Sequence, residues 1–235
     1  MWLFYCPDIQ TDMELPQEEA GHCIRVLRMK EGDRLRLTDG KGVFYDAVIS
    51  AVSGKRCMVH VEKSERQAPL WSGHLHIAVA PTKLMDRNEW FVEKAVEIGV
   101  DEVTFLKTDH SERDVIKMER IEKIAVSAMK QSQKATLPAL NGMTSLHSFI
   151  ERGFDGDKFI AHCEPGNKAL LQDAVVPGHN SLVLIGPEGD FSPEEIDLAL
   201  KAGFKPISLG PSRLRTETAA LVAVHIMNLA GQSRE

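Results

Sequence analysis

Apolar and polar positions along this chain change rhythm once. Up to about residue 68 they alternate. Arg34-Leu35-Arg36-Leu37-Thr38 is such a run, the period-two pattern of a strand with one buried face. Asp39-Gly40-Lys41-Gly42 after it is a turn signal. Residues 43–52 and 57–61 continue as strands joined by Ser53-Gly54-Lys55. Short strands at this spacing predict a small β-barrel, with one helix over residues 18–29 ahead of it. Met1-Trp2-Leu3-Phe4-Tyr5 is apolar but short, lacks a basic region and soon meets Pro7 and Asp8. It reads as a first strand rather than a signal peptide.

Residues 65–73, with Pro69 and Gly73, form the expected linker. Beyond it, strand-like runs alternate with helical ones. Residues 74–80 are a strand ended by Pro81. Residues 86–98 are a helix with Phe91, Ala95 and Ile98 on one face, stopped by Gly99. A strand at 103–106 and a helix at 119–133, with Ile121, Ile124, Ala125 and Ala128 in register, come next. Strands are then expected at 159–161, 182–185 and 206–209, and a final helix at 217–229. Ser192-Pro193-Glu194-Glu195 has the form of a capping box with proline at the first helical position. The alternation predicts an α/β unit with a mostly parallel sheet.

Two segments of this second part share one grammar. Leu182-Val183-Leu184-Ile185 runs into Gly186-Pro187-Glu188-Gly189-Asp190, then a helix. The strand ending at Leu209 runs into Gly210-Pro211-Ser212-Arg213-Leu214-Arg215, and a helix opens at Thr216-Glu217. Strand–loop–helix junctions suit ligands, because helix N-termini carry free backbone N–H groups. The two loops are either simple turns or the two walls of one site. Neither fits GxxxxGK[ST] or GxGxxG, so a triphosphate or classical dinucleotide site is not supported. Glu188 and Asp190 would also repel phosphate. No Ser/His/Asp or Cys/His nucleophile arrangement stands out.

Composition narrows the class. Of 235 residues, 43% are hydrophobic and 26% charged, as in ordinary globular proteins. No apolar run approaches the roughly 20 residues of a membrane span. Cys6, Cys23, Cys57 and Cys163 are far apart, with no CxxC pair. That predicts reduced thiols in a cytoplasmic protein and no metal site. A formal net charge of −6 argues against nucleic-acid binding by the whole surface. Between His22 and Lys41, however, six basic residues (Arg25, Arg28, Lys30, Arg34, Arg36, Lys41) face three acidic ones. This local excess is either a solvated face or a patch for RNA. His22, Arg25 and Arg28 lie at helical spacing and could track an RNA backbone.

Taken together, the chain resembles the RsmE family, the 16S rRNA uridine-N3 methyltransferases of the SPOUT class. The main marks are Leu184-Ile185-Gly186-Pro187-Glu188-Gly189-Asp190-Phe191-Ser192 with Glu194-Glu195, and Leu209-Gly210 with Leu214-Arg215-Thr216-Glu217-Thr218-Ala219. Supporting marks are His22 with Val26-Leu27-Arg28, Glu93-Lys94 with Glu97-Ile98-Gly99-Val100, Ser111-Glu112-Arg113, and Gln131-Ser132. There are two departures. Ser212 stands where many members carry arginine, with Arg213 following it. Asp190 replaces the second glycine of a Gly-Gly pair.

The resemblance implies a PUA-like barrel over residues 1–70 that binds RNA, and a SPOUT methyltransferase domain over 71–235 with a C-terminal trefoil knot. It implies S-adenosylmethionine held by Leu184, Ile185, Gly186, Pro187, Glu188, Gly189, Leu209, Gly210, Leu214 and Thr216. Arg215 and Glu217 would be catalytic, with Glu217 orienting Arg215 or taking a proton. His22, Arg25, Arg28, Lys41 and Arg213 would contact RNA. The expected partners are 16S rRNA in the small ribosomal subunit and a second copy of the chain, with no membrane and no metal. Rival expectations are a SPOUT methylase acting on another rRNA or tRNA site, a non-catalytic RNA-binding assembly factor, and a nucleotide-phosphate enzyme.

Overall fold

The computed structural model describes residues 2–232. The chain forms two compact units. The first comprises residues up to Ala68 together with Val126–Leu137, and the second Pro69–Ala125 with the chain from Pro138 onward.

In the first unit, strands β1 (Leu3–Tyr5), β2 (Arg34–Thr38), β3 (Val43–Ser53) and β4 (Arg56–Arg66) form one sheet in that order. β1 is parallel to β2, and the other pairs are antiparallel. The predicted alternation is met: Leu35 and Leu37 are fully buried. Arg36, on the other face, pairs at 2.8 Å with Asp46, its cross-strand partner. Phe4, Ile49, Cys57 and Val59 complete the core. The segment 126–137, which sequence pattern assigned elsewhere, is stitched to this unit. Gly42 N–H donates to the Ala135 carbonyl, Leu137 N–H to Gly40, and Lys130 pairs with Glu19 at 2.6 Å.

The single helix expected over 18–29 is shorter and changes type. Helix α1 (Gln17–Gly21) passes into a π-helical turn, His22–Val26. Arg28 then adopts φ 55°, in the left-handed region, and ends the helix. Arg28 therefore lies off the helix face that spacing suggested. The four cysteines are free. Burial pushes the Cys6 thiol to about 11 and the Cys23 thiol to about 12, so both stay protonated at neutral pH.

The second unit is a seven-stranded parallel sheet flanked by helices. Its elements are β5 (Leu75–Val79), α2 (Met85–Ile98), β6 (Glu102–Lys107), the first half of α3 (Met118–Gln131, which belongs to the first unit from Val126), β7 (Ala139–Ser145), α4 (Leu146–Glu151), β8 (Asp157–Ala161), β9 (Ala169–Leu170), α5 (Leu171–Ala174), β10 (Ser181–Ile185), α6 (Pro193–Lys201), β11 (Lys205–Ser208) and α7 (Thr216–Gly231). The strand order is β7-β6-β5-β10-β8-β11-β9. β5 and β10 lie side by side with every residue buried, as central parallel strands covered on both faces require. β10 and β11 come late in the chain, yet each sits against the earlier strand β8.

β7 carries no alternating apolar signal, and α4, with Leu146, Phe149 and Ile150 at helical spacing, is a single short stretch; neither is among the elements expected from sequence. β11 ends at Ser208, so Leu209 belongs to the loop. The capping box is present: Ser192 Oγ accepts from Glu195 N–H, and the Glu195 carboxylate accepts from Ser192 N–H. Helix α7 packs against α2, α5, β5 and β10, burying Ala220, Ala223, Val224 and Met227. At its far end the packing is tight around Gly99, at φ 124°. A Cβ there would lie 2.4 Å from Trp71 Cζ3 and 2.7 Å from Asn228 Nδ2, so only glycine fits.

Candidate active site

β8, β10 and β11 run parallel and end on one edge. The loops leaving them enclose a cleft of about 790 Å³, within the roughly 300–1,000 Å³ of small-molecule sites. In open parallel sheets this carboxyl edge is where ligands bind. The β10 loop brings Ile185, Gly186, Pro187, Glu188 and Asp190, and the β11 loop brings every residue from Ile207 to Thr216.

The structure thus gathers most of the residues singled out from sequence. Ile185, Gly186, Pro187, Glu188, Leu209, Gly210, Leu214 and Thr216 line the cleft, as do Arg213 and Arg215. Leu184 and Gly189 are not on its wall. Leu184 is fully buried beneath it, in the core with Ile160 and Phe191. Gly189 faces away, where a Cβ would stand 3.1 Å from that of His110. Gly186 is needed for close packing, since a Cβ would meet the Phe191 ring at 3.1 Å. Gly210, at φ 123°, holds a conformation that other residues rarely adopt.

The loop after β10 is tied from several sides. The Glu188 carboxylate accepts the Lys83 N–H at 3.0 Å. His110 Nδ1 lies 3.1 and 3.0 Å from the Gly189 and Asp190 carbonyls. Asp190 sits at φ 64°, a position where asparagine and aspartate are better tolerated than most residues. Its carboxylate accepts from Cys163 N–H at 2.7 Å and from Phe191 N–H at 2.8 Å. The residue that replaces the family's glycine therefore locks two walls of the cleft together.

Several lining residues had no sequence signal. His162 and Cys163 follow β8, which was read only as a short apolar run. Lys168 is anchored by donating to the His162 and Glu164 carbonyls. Burial, then the Lys168 charge, pushes the His162 imidazole below its ordinary pKa. Burial and the Asp190 carboxylate raise the Cys163 thiol, so it is not a thiolate nucleophile at neutral pH. Arg87, from the first turn of α2, also lines the cleft. It is about 100 residues from the β10 loop and about 120 from the β11 loop, beyond any spacing rule.

Arg215 and Glu217 do not pair. Arg215 is the exposed N-cap of α7, and Glu217 lies in that helix's first turn with 8% of its surface exposed. Glu217 Oε1 is 3.7 Å from Arg87 Nη1, and Oε2 is buried with no hydrogen-bond partner. In the first unit, His22, Arg25, Arg28 and Lys41 are all exposed. The first three lie in and just after the π-helical turn, with the His22 ring edge-on to Trp2 and Phe4. Lys41 is in the β2–β3 turn. Among the described residues, no group of three His, Cys, Asp or Glu could hold a metal ion. No helix there is long and apolar enough to cross a membrane.

This parallel sheet with its loop-walled edge is that of an RNA methyltransferase domain of the SPOUT class. Residues 69–228 match the model of the RNA methyltransferase domain, and residues 15–62 that of the RNA methyltransferase PUA domain. The chain belongs to the RsmE family, the ribosomal RNA small subunit methyltransferases E. The member from Buchnera aphidicola is 30% identical over 231 residues, covering 92% of this chain and 89% of that protein. A probable rRNA methyltransferase from Porphyromonas gingivalis superposes with a TM-score of 0.95 at 49% identity, covering 98% of each chain. A putative methyltransferase from Legionella pneumophila, solved with its cofactor SAM bound, gives 0.89 at 31% identity, covering 99% of this chain and 98% of that one.

Proposed function

We propose that this protein methylates N3 of one uridine in the 16S rRNA of the small ribosomal subunit, using S-adenosylmethionine. The observation that carries the reading is the cleft on the carboxyl edge of β8, β10 and β11, in a chain of this family. Its lining fits the cofactor. Ile185, Ile207, Leu209 and Leu214 give apolar walls for a flat adenine, and the loop backbones can read its edge. Glu188 and Asp190 favour a ligand that carries a cation and disfavour a triphosphate. When bound, S-adenosylmethionine supplies a methyl group on a positively charged sulfur. Gly186, Pro187, Glu188, Gly210 and Thr216 would hold it, with Leu184 and Gly189 supporting the loop without touching the ligand.

The protein's own groups have two tasks. N3 of uracil carries a proton and a poorly available lone pair, so the base must be held in line and its loss of that proton favoured. Arg215, at the mouth of the cleft, grips the uridine or its phosphate and offsets negative charge on the base, and Arg213 beside it contacts RNA. The target must be unpaired or flipped to enter. His22, Arg25, Arg28 and Lys41 on the first unit hold the RNA backbone, which makes binding salt-dependent. The protein acts as a homodimer in the cytoplasm, where assembled small subunits are available.

Calorimetric titration with S-adenosylmethionine, with ATP as control, tests the site. Binding of the methyl donor alone is expected. Absence of binding by folded protein would favour the non-catalytic assembly factor instead. Arg215→Ala should abolish transfer and leave cofactor binding largely intact; normal turnover in that variant would remove Arg215 from the mechanism.

A further inference from the structure

The cleft presents cations of two kinds. Arg213 and Arg215 are exposed on the β11 loop, and their side chains form no hydrogen bond or ion pair among the described residues. Arg87 differs in every respect. It comes from a long helix, only 34% of its side chain is exposed, and it forms an ion pair with a carboxylate, Glu217 Oε1 at 3.7 Å. Its backbone is fixed by its neighbour. Buried Asn88 accepts from Thr82 N–H at 2.8 Å and donates to the Thr82 and Leu84 carbonyls, stitching the chain before α2 onto its first turn. Arg113 donates to the Thr82 carbonyl from the other side. The remaining charges on the wall are committed elsewhere: Glu188 and Asp190 to backbone N–H groups, and Lys168 to two carbonyls.

Building on the methyltransferase reading above, we propose that Arg87 is a catalytic residue that donates hydrogen bonds to the uracil carbonyl oxygens flanking N3, and that Glu217 is its positioning residue. Loss of the N3 proton to water spreads negative charge over O2, N3 and O4. A fixed guanidinium facing that charge stabilises it without reorganising, whereas a loop arginine must first be ordered. Glu217 cannot serve the substrate directly, because it is absent from the cleft wall and its free oxygen Oε2 is closed off. A buried carboxylate with one ion-pair partner and an unsatisfied oxygen is costly, and such groups concentrate at functional sites. Here it fixes the angle of Arg87.

The test compares wild type with Arg87→Lys, Arg87→Met and Glu217→Gln on small subunits lacking the modification. Single-turnover methylation is followed across pH, and S-adenosylmethionine binding is measured in parallel. Arg87→Met should lower the rate about a hundredfold or more and displace the acid limb of the pH–rate profile to higher pH. Arg87→Lys should recover part of both changes, and Glu217→Gln should fall between. Cofactor affinity should change far less than the rate. A rate loss with no displacement of the pH limb, or one that tracks weakened cofactor binding, would show a merely structural pair and overturn the proposal. So would wild-type rates in Arg87→Met. Failure of the wild type itself to bind cofactor or methylate would instead overturn the reading on which the proposal rests.

Discussion

The two loops that wall the cleft differ in how they are held. Loop 186–190 is tied to three other segments of the same unit: Lys83 through Glu188, His110 through two carbonyls, and Cys163 through Asp190. Loop 209–215 is held by a local bond between Gly210 N–H and Ser208 Oγ and by the start of α7. Its arginines are exposed. One wall is therefore formed before a ligand arrives, and the other can order around it. Ligand affinity gains most from groups that are already in place, because ordering a loop on binding costs entropy.

The contrast is open to attack at Asp190. Asp190→Ala removes two charge-assisted hydrogen bonds, worth about 1.5–3 kcal/mol each, and leaves alanine at a positive φ. Calorimetry should show S-adenosylmethionine binding weakened by about ten- to a hundredfold, each factor of ten being about 1.4 kcal/mol. Asp190→Gly relieves the backbone and should recover part of the loss. Wild-type affinity in both variants would mean that the tie to Cys163 does nothing for the cofactor.

A smaller effect should appear at the capping box below the same loop. Ser192→Ala loses the bond to Glu195 N–H and should cost about 1 kcal/mol of stability, read by urea unfolding. Hydrogen exchange then compares the two walls directly. Without ligand, amides of 209–215 should exchange faster than those of 186–190, and cofactor should slow the former more. Equal protection in the free protein would erase the distinction.

The smallest effect near neutral pH comes from the opposite edge of the sheet. His76 is buried beside Thr104 and Phe149, and burial pushes its imidazole down from 6.5 to about 4. The folded state therefore holds it neutral while the unfolded chain protonates at ordinary pH. Its contribution is complete above pH 6.5 and is lost as pH falls toward 4. His76→Gln should flatten the fall in melting temperature over that window and leave cofactor binding at pH 7 unchanged. A variant that melts with the wild-type pH dependence would clear His76 of this role.

How much of this was legible in sequence depended on whether the signal was local. The capping box at Ser192, the alternation of Leu35 and Leu37, and the two glycine loops are written in neighbouring residues, and the structure places them as read. β7 was missed because its Asn141, Gly142 and Thr144 give no apolar rhythm; it forms by pairing with β6. The helix between β1 and β2 departs from the expectation because spacing cannot foresee a π-helical turn closed by a left-handed arginine. The walls contributed by Arg87 and by His162 and Cys163 are long-range juxtapositions. Their neighbours in sequence do not predict them, since strand order and the packing of α7 on α2 bring them to the cleft.

The central claim is tested most directly by incubating the purified protein with S-adenosylmethionine and small ribosomal subunits that lack the modification, then mapping methylated nucleosides in the 16S rRNA by mass spectrometry. The account predicts a single 3-methyluridine at one position, formed on assembled subunits. Methylation at a ribose or at another base, or none with folded, cofactor-binding protein, would contradict it.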